Sequence, residues 1–141
     1  AGVAAHADWT IAAQLNGDFT QAKAYEETIA YLQSSPAPDV VYCENDNMCF
    51  GVMQALDELG IAYGDGGVTL ISFDAGRTAL SYCKDGKIDL CAECNPLHGP
   101  RVRALIEQLA RGETPEKLSY MPEALFTADT LTAELLESRV Y

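Results

Sequence analysis

Positive charge is scarce in this chain: 9 Lys and Arg stand against 21 Asp and Glu in 141 residues, for a net charge of −12. Nucleic-acid binding draws its affinity from clustered Lys and Arg, so DNA and RNA are excluded as partners. Long apolar runs are missing too. Nothing approaches the roughly 18 consecutive apolar residues a membrane-spanning helix needs. The opening "AGVAAHADW" has neither the charged nor the apolar region of a signal peptide. Histidine is limited to His6 and His98, too scattered for a metal site, and Cys43 with Cys49 has no recognisable zinc spacing. No metal or cofactor is expected. Neither a Gly-rich phosphate loop nor a GxSxG elbow occurs. Five cysteines cannot form a complete internal disulfide framework, and the count suits a reducing compartment or simple core use.

What is present is a chain that is 48% hydrophobic, enough for one core and one compact unit. "AGVAAH" is Ala-rich and uncapped, and it reads as the last turns of a helix whose start lies outside the sequence. "TIAAQ" (10–14) is a short apolar run suited to a buried strand. "NGDFTQ" then predicts a turn with Asp18 as helix cap and Gln21 three positions on, a capping-box pattern. Tyr25, Ile29 and Leu32 follow at helical spacing until "SSPAP" stops the element. "DVVYC" is the next strand. Asp46 is placed to cap a helix whose stripe is Met48, Val52, Ala55, Leu56 and Leu59, and Gly60 ends it. "VTLISF" and "KIDLCAE" are further strands, with a helix from Ala75 to Lys84 between them. Pro100 opens a helix with an apolar face of Val102, Leu105, Ile106 and Leu109, closed by Gly112. The tail is irregular around Pro122 and ends in a short helix capped by Asp129 or Thr130. Strands alternating with helices at this spacing predict an α/β fold: a doubly wound parallel sheet, covered on both faces, with right-handed crossovers.

In such sheets ligands bind at the carboxyl ends of the strands. The junctions there carry Gln14, Asn16, Asp18 and Phe19; Glu44, Asn45 and Asp46; Asp74; and Glu93, Cys94 and Asn95. Amide, carboxylate and aromatic groups are the mixture a sugar demands, because vicinal hydroxyls donate and accept hydrogen bonds while a ring covers the apolar face of the sugar. Each residue also has a plainer role. Asp18 and Asp46 are good helix caps, Asn45 and Asp74 satisfy turn backbones, and Phe19 suits a core. Recurrence at successive junctions favours the binding role. The CxxC of "CAEC" places Cys91 within a strand rather than at a helix start, so core packing is favoured over redox chemistry. Asp46 and Asp74 could flank a glycosidic bond, but no spacing in sequence fixes their separation.

At "GDFTQAKAYEETIAYLQ", "VVYCENDNMCFGVMQAL", "ISFDAG", "CKDGKIDLCAECNP" and "GETPEKL" the chain resembles the periplasmic sugar-binding proteins of ABC transporters, type I fold, and among them the galactofuranose-binding branch. The order of these motifs matches the C-terminal part of a longer family chain. The resemblance implies two Rossmann-like lobes with a monosaccharide held between them and a membrane permease that recognises closure. It further implies that residues 1–95 are the C-terminal lobe, incomplete at its start. Residues 96–117 are then a crossing and a helix of the N-terminal lobe, and 118–141 return. Phe19 falls on the family's stacking aromatic, Asn45 on its amide contact and Asp74 on its carboxylate. Glu93, Cys94 and Asn95 share the strand end before the crossing, and Asp18 and Asp46 are secondary candidates. The family is exported, by signal peptide or lipid anchor, and does no catalysis. The sugar is expected to be galactofuranose, galactose or a ribose-like sugar. The same fold also serves as the effector domain of lactose-repressor-type regulators, which is the alternative. With no N-terminal lobe to host it, the helix carrying the Val102–Leu109 stripe is expected to repack on its own lobe, fray, or pair with a second copy of the chain.

Overall fold

The computed structural model describes residues 2–141. Its elements run α1 (Gln21–Leu32), β1 (Val40–Tyr42), α2 (Asp46–Leu59), β2 (Thr69–Asp74), α3 (Arg77–Lys84), β3 (Leu90–Glu93), α4 (Gly99–Ala110), β4 (Leu125–Phe126) and α5 (Ala133–Ser138). The sheet order is β1-β2-β3-β4. The first three strands are parallel, with Val41 opposite Leu70 and Ser72 opposite Cys91, and β4 joins antiparallel through Cys91 and Phe126. The predicted α/β class and its parallel strands are therefore present, with one antiparallel edge.

Successive strands step across the sheet in one direction, so right-handed crossovers bring α2 and α3 to the same face. There they bury Leu56, Leu80, Leu70 and Cys91, each at most 1% exposed, together with Val52, Cys83 and Ile88. α1 lies along α2, and Gly51 permits the approach: a Cβ there would stand 2.2 Å from the Gln21 carbonyl oxygen. By alternation the other face of the sheet carries Val40, Tyr42, Ile71 and Phe73. Val40 and Tyr42 are 51% and 58% exposed. The cover expected on both faces is thus one-sided among the described residues.

Other expectations need correction. Residues 10–16, which include "TIAAQ", belong to no strand, and Thr10 to Asn16 are all exposed. A strand exists only by pairing, and among the described residues no backbone group of 10–16 finds a backbone partner. α1 is capped by Thr20, whose side chain accepts from the Lys23 N–H. Asp18 has a left-handed backbone, φ 48°, unlike the extended one a cap adopts. The Gln21 amide is spent on Gln54 at 3.3 Å rather than on a capping box. Asn45 caps α2 by accepting from the Met48 N–H at 2.8 Å, and Thr132, not Asp129 or Thr130, caps α5. Gly60 ends α2 in the left-handed conformation, as read from the sequence. Ala1, the first residue of the Ala-rich opening, lies outside the described residues; Val3–Ala5 form one 3-10 turn. α4 buries no residue, with Ile106 and Leu109 each 60% exposed. No described helix is long and apolar enough to cross a membrane.

Candidate functional site

The carboxyl ends of β1 and β2 and the turn before α1 meet at one rim. Asn45 joins two of these elements. Its Oδ1 caps α2, and its Nδ2 donates to the Phe19 carbonyl at 3.3 Å. Asp46, next in sequence, joins the third. Its Oδ1 accepts from the Ser72 hydroxyl at 2.5 Å and its Oδ2 from the Gly76 N–H at 2.8 Å. The consecutive pair Asn45-Asp46 thereby ties the Phe19 turn to the turn after β2, which presents Asp74.

Both turns hold strained backbone. The non-glycine residues with positive φ among those described are Asp18 (48°), Phe19 (53°), Asp74 (99°) and Ala75 (58°), two in each turn. Such residues cost of order 1–3 kcal/mol each and gather at ligand sites, where surrounding structure holds them in place. Phe19 presents a ring 63% exposed, which is not the setting of a core aromatic. Asp74 is exposed, and Asn45 is half-buried.

Electrostatics follow the burial. The Asp46 carboxyl is pushed upward by burial and further by the charge of Asp74, while the Ser72 hydroxyl and the Gly76 N–H draw it back. Desolvation also pushes the Asp74 carboxyl upward, against a hydrogen bond from the Asp46 backbone N–H. Ionised, Asp74 offers acceptor oxygens only, the complement of a hydroxyl.

The residues at the end of β3 do other work. Glu93 faces Asp74 across the β2–β3 ladder. Its Oε1 takes the Arg139 guanidinium at 2.5 Å and the Tyr141 hydroxyl, and its Oε2 takes the Ala124 N–H at 3.0 Å. Burial pushes the Glu93 carboxyl up, but Tyr141 and Arg139 outweigh it and hold it below the usual carboxylate range. Arg139 itself lies over the rings of Phe126 and Tyr141, 5.0 Å and 4.6 Å from their centres. Asn95 accepts the Leu97 N–H at 2.9 Å, shaping the turn toward α4. Cys94 is exposed, and its N–H donates to the Asp74 carbonyl at 3.3 Å. Asp18 is exposed, its N–H bonded to Asn16.

Sequence reasoning missed Ser72, Gly76, Arg139 and Tyr141, the partners of the two buried carboxylates. Arg139 had one signal, a lone cation in the acidic closing segment "ELLESRVY". The rim is open. One groove of about 240 Å³ lies around Phe50, Tyr63 and Tyr82, and another of about 210 Å³ is lined by Glu93, Asn95 and Tyr141. Among the described residues no cluster of His, Cys, Asp or Glu is placed to hold a metal ion.

Comparison with known proteins places this chain in a family. The chain is 31% identical over 124 residues to the galactofuranose-binding protein YtfQ of Escherichia coli, an alignment covering 85% of this chain and 39% of that protein. It is 31% identical over 83 residues to the fructose import binding protein FruE of Bifidobacterium longum, covering 59% of this chain and 24% of that one. A crystal structure of a Mycobacterium smegmatis protein in complex with β-D-fucofuranose superposes with a TM-score of 0.82 at 30% identity, over 91% of this chain and 42% of the other. The chain therefore spans less than half the length of each of these relatives. The model of the periplasmic binding protein domain matches residues 1–110. With that match covering well over half of its residues, the chain belongs to the periplasmic binding protein family.

Proposed function

We propose that this chain supplies one wall of a monosaccharide site in the solute-binding component of a carbohydrate ABC transporter. The protein acts outside the cytoplasmic membrane and delivers its sugar to a membrane permease without catalysis. Galactofuranose, galactose or a ribose-like sugar fits the rim: Phe19 packs on the sugar's apolar face, the Asn45 amide bonds hydroxyls, and the Asp74 carboxylate accepts hydroxyl hydrogens. Residues 1–95 form this wall, 96–117 cross to a facing lobe, and 118–141 return. Cys94 and Asn95 border the site, and Glu93 supports it through its buried pair with Arg139.

One observation carries the reading. All the non-glycine left-handed residues described fall in the two turns that present Phe19 and Asp74, and Asn45 and Asp46 bridge those turns. The named relatives are binding proteins, for galactofuranose and for fructose import. A single wall offers part of the contacts and cannot exclude water by closing, so affinity on this chain alone is weak. Two-dimensional amide NMR detects weak binding. Methyl β-D-galactofuranoside, D-galactose and D-ribose are titrated with and without chelator. At least one is expected to give saturable shifts at Phe19, Asn45 and Asp74 that persist with chelator. Shifts confined to other surfaces, or none for any sugar, would overturn the proposal.

A further inference from the structure

Asp46 has the sequence position of a helix cap and the rim position of a ligand contact, yet it does neither job. It is 8% exposed, and each carboxylate oxygen already has a partner, Ser72 on β2 and Gly76 beyond it. A carboxylate in a helix's first turn ordinarily serves its own backbone N–H groups. Here it serves another strand's turn instead.

The turn it serves cannot hold itself. Asp74 and Ala75 are consecutive left-handed residues, and a Cβ-bearing residue resists that conformation through the clash of Cβ with its own backbone. Ala75 is wholly buried, so a change in its backbone angles would carry its methyl group into packed neighbours. Gly76 follows with ordinary dihedrals, φ −65° and ψ 160°, and so is not required there for its conformation. Its lack of a side chain leaves room: a Cβ on Gly76 would stand 3.2 Å from Asp46 Oδ2, so the carboxylate would have to give by a few tenths of an ångström. The absent side chain lets the carboxylate reach the Gly76 N–H.

We infer that Asp46 is a positioning residue, whose carboxylate clamps the Asp74–Ala75 turn in its left-handed form and so aims Asp74 at the same ligand that Asn45 meets. The clamp rests on the sugar-binding reading for its purpose but not for its existence, and the two can be tested apart. Because Asp46 adjoins Asn45, which holds the Phe19 carbonyl, a shift of the clamp is felt by all three contact groups. Selectivity among sugars differing at one hydroxyl then depends on a residue that touches none of them.

The test uses three variants of the chain, with one-bond α-carbon–α-proton couplings at Asp74 and Ala75 reporting the sign of φ and a methyl β-D-galactofuranoside titration reporting binding. In Asp46→Asn the amide oxygen takes the Gly76 N–H and the amide nitrogen donates to Ser72, so both couplings are expected to stay and affinity to remain within about threefold. In Asp46→Ala the Gly76 N–H loses its acceptor. The couplings are expected to move toward the right-handed or extended range, with affinity falling about tenfold or more. Gly76→Ala, which keeps the carboxylate and adds only a methyl, is expected to move the Asp74 coupling part of the way and remains informative if Asp46→Ala fails to fold. Unchanged couplings in Asp46→Ala or Gly76→Ala overturn the clamp. Equal affinity loss in Asn and Ala variants overturns it in favour of direct sugar contact. A wild-type chain that binds no sugar defeats the functional reading, while the couplings still decide the clamp.

Discussion

Replacing Arg139 by Ala removes the cation from a buried pair whose side chains are only 9% and 10% exposed. Glu93 is left with the Tyr141 hydroxyl and the Ala124 N–H, which solvate a carboxylate but do not neutralise it. Breaking a buried pair by removing one partner costs roughly 3–5 kcal/mol. The two surviving donors put this case at the lower end, about 3 kcal/mol. The loss of guanidinium cover over the Phe126 ring acts in the same direction. For a chain of this size that is a fall in melting temperature of about 10 °C. Calorimetry measures it. Replacing both partners, Glu93→Gln with Arg139→Met, should recover most of the loss, because no uncompensated charge remains. The pH dependence has a definite sign. Glu93 titrates below its ordinary 4.5 in the folded chain. Its contribution is therefore complete above that value and is lost as pH falls through the lower folded-state value. Glu93→Gln flattens this acid limb. A change under about 0.5 kcal/mol for Arg139→Ala, the size of an ordinary surface substitution, would refute the reasoning.

Phe19→Ala should weaken sugar binding while leaving the melting temperature within a few degrees, because the ring is 63% exposed; isothermal and scanning calorimetry separate the two effects. Asn45→Ala should cost about 1 kcal/mol of stability through the lost α2 cap, and binding besides, as thermal melts and titrations would show. Of the five cysteines only Cys94 is exposed. The Cys49 thiol is pushed far up by its hydrogen bond with the free Cys43 thiol and by burial. A thiol reagent should therefore label one site rapidly in the native chain and the remainder only after unfolding. Light scattering should give a mass above that of the monomer, since α4 exposes Val102, Ile106 and Leu109, and Ile106→Lys should lower it.

Much of this fold was legible because periodicity and punctuation are local. The strands around Val41, Leu70 and Cys91 and the helices α1 to α4 stand where their apolar spacing put them, and Gly60 ends α2 by the expected left-handed turn. What failed was decided elsewhere in the chain. "TIAAQ" has strand composition, but pairing supplies a strand's hydrogen bonds, and among the described residues it finds no backbone partner. The caps moved by one to three residues because the capping residue is chosen by backbone dihedrals, which Asp18 does not have. The destination of a carboxylate is harder still to read. Asp46 meets a hydroxyl 26 residues on, and Glu93 meets a guanidinium 46 residues on, and nothing near either residue names its partner.

The rim and the C-terminal clamp answer one physical problem. Four left-handed non-glycine residues at 1–3 kcal/mol each amount to roughly 4–12 kcal/mol, comparable with the whole net stability of a small domain, about 5–15 kcal/mol. That strain persists only where relaxation would cost more. At the Phe19 turn the Asn45 amide holds the carbonyl, and Thr20 starts α1 immediately after. At the Asp74 turn Asp46 holds Gly76, and the next N–H, of Arg77, donates to the Tyr141 carbonyl at 2.7 Å. The Arg77 guanidinium reaches the Arg139 carbonyl at 2.8 Å, and the Arg139 side chain pairs with Glu93, the strand neighbour of Asp74. The last residues thus fasten the same turn from its far side. A perturbation at Arg139, remote from any sugar contact, should for this reason reach Asp74 before it reaches Phe19, and the order in which their amide signals respond in Arg139→Ala distinguishes this coupling from a general loss of stability.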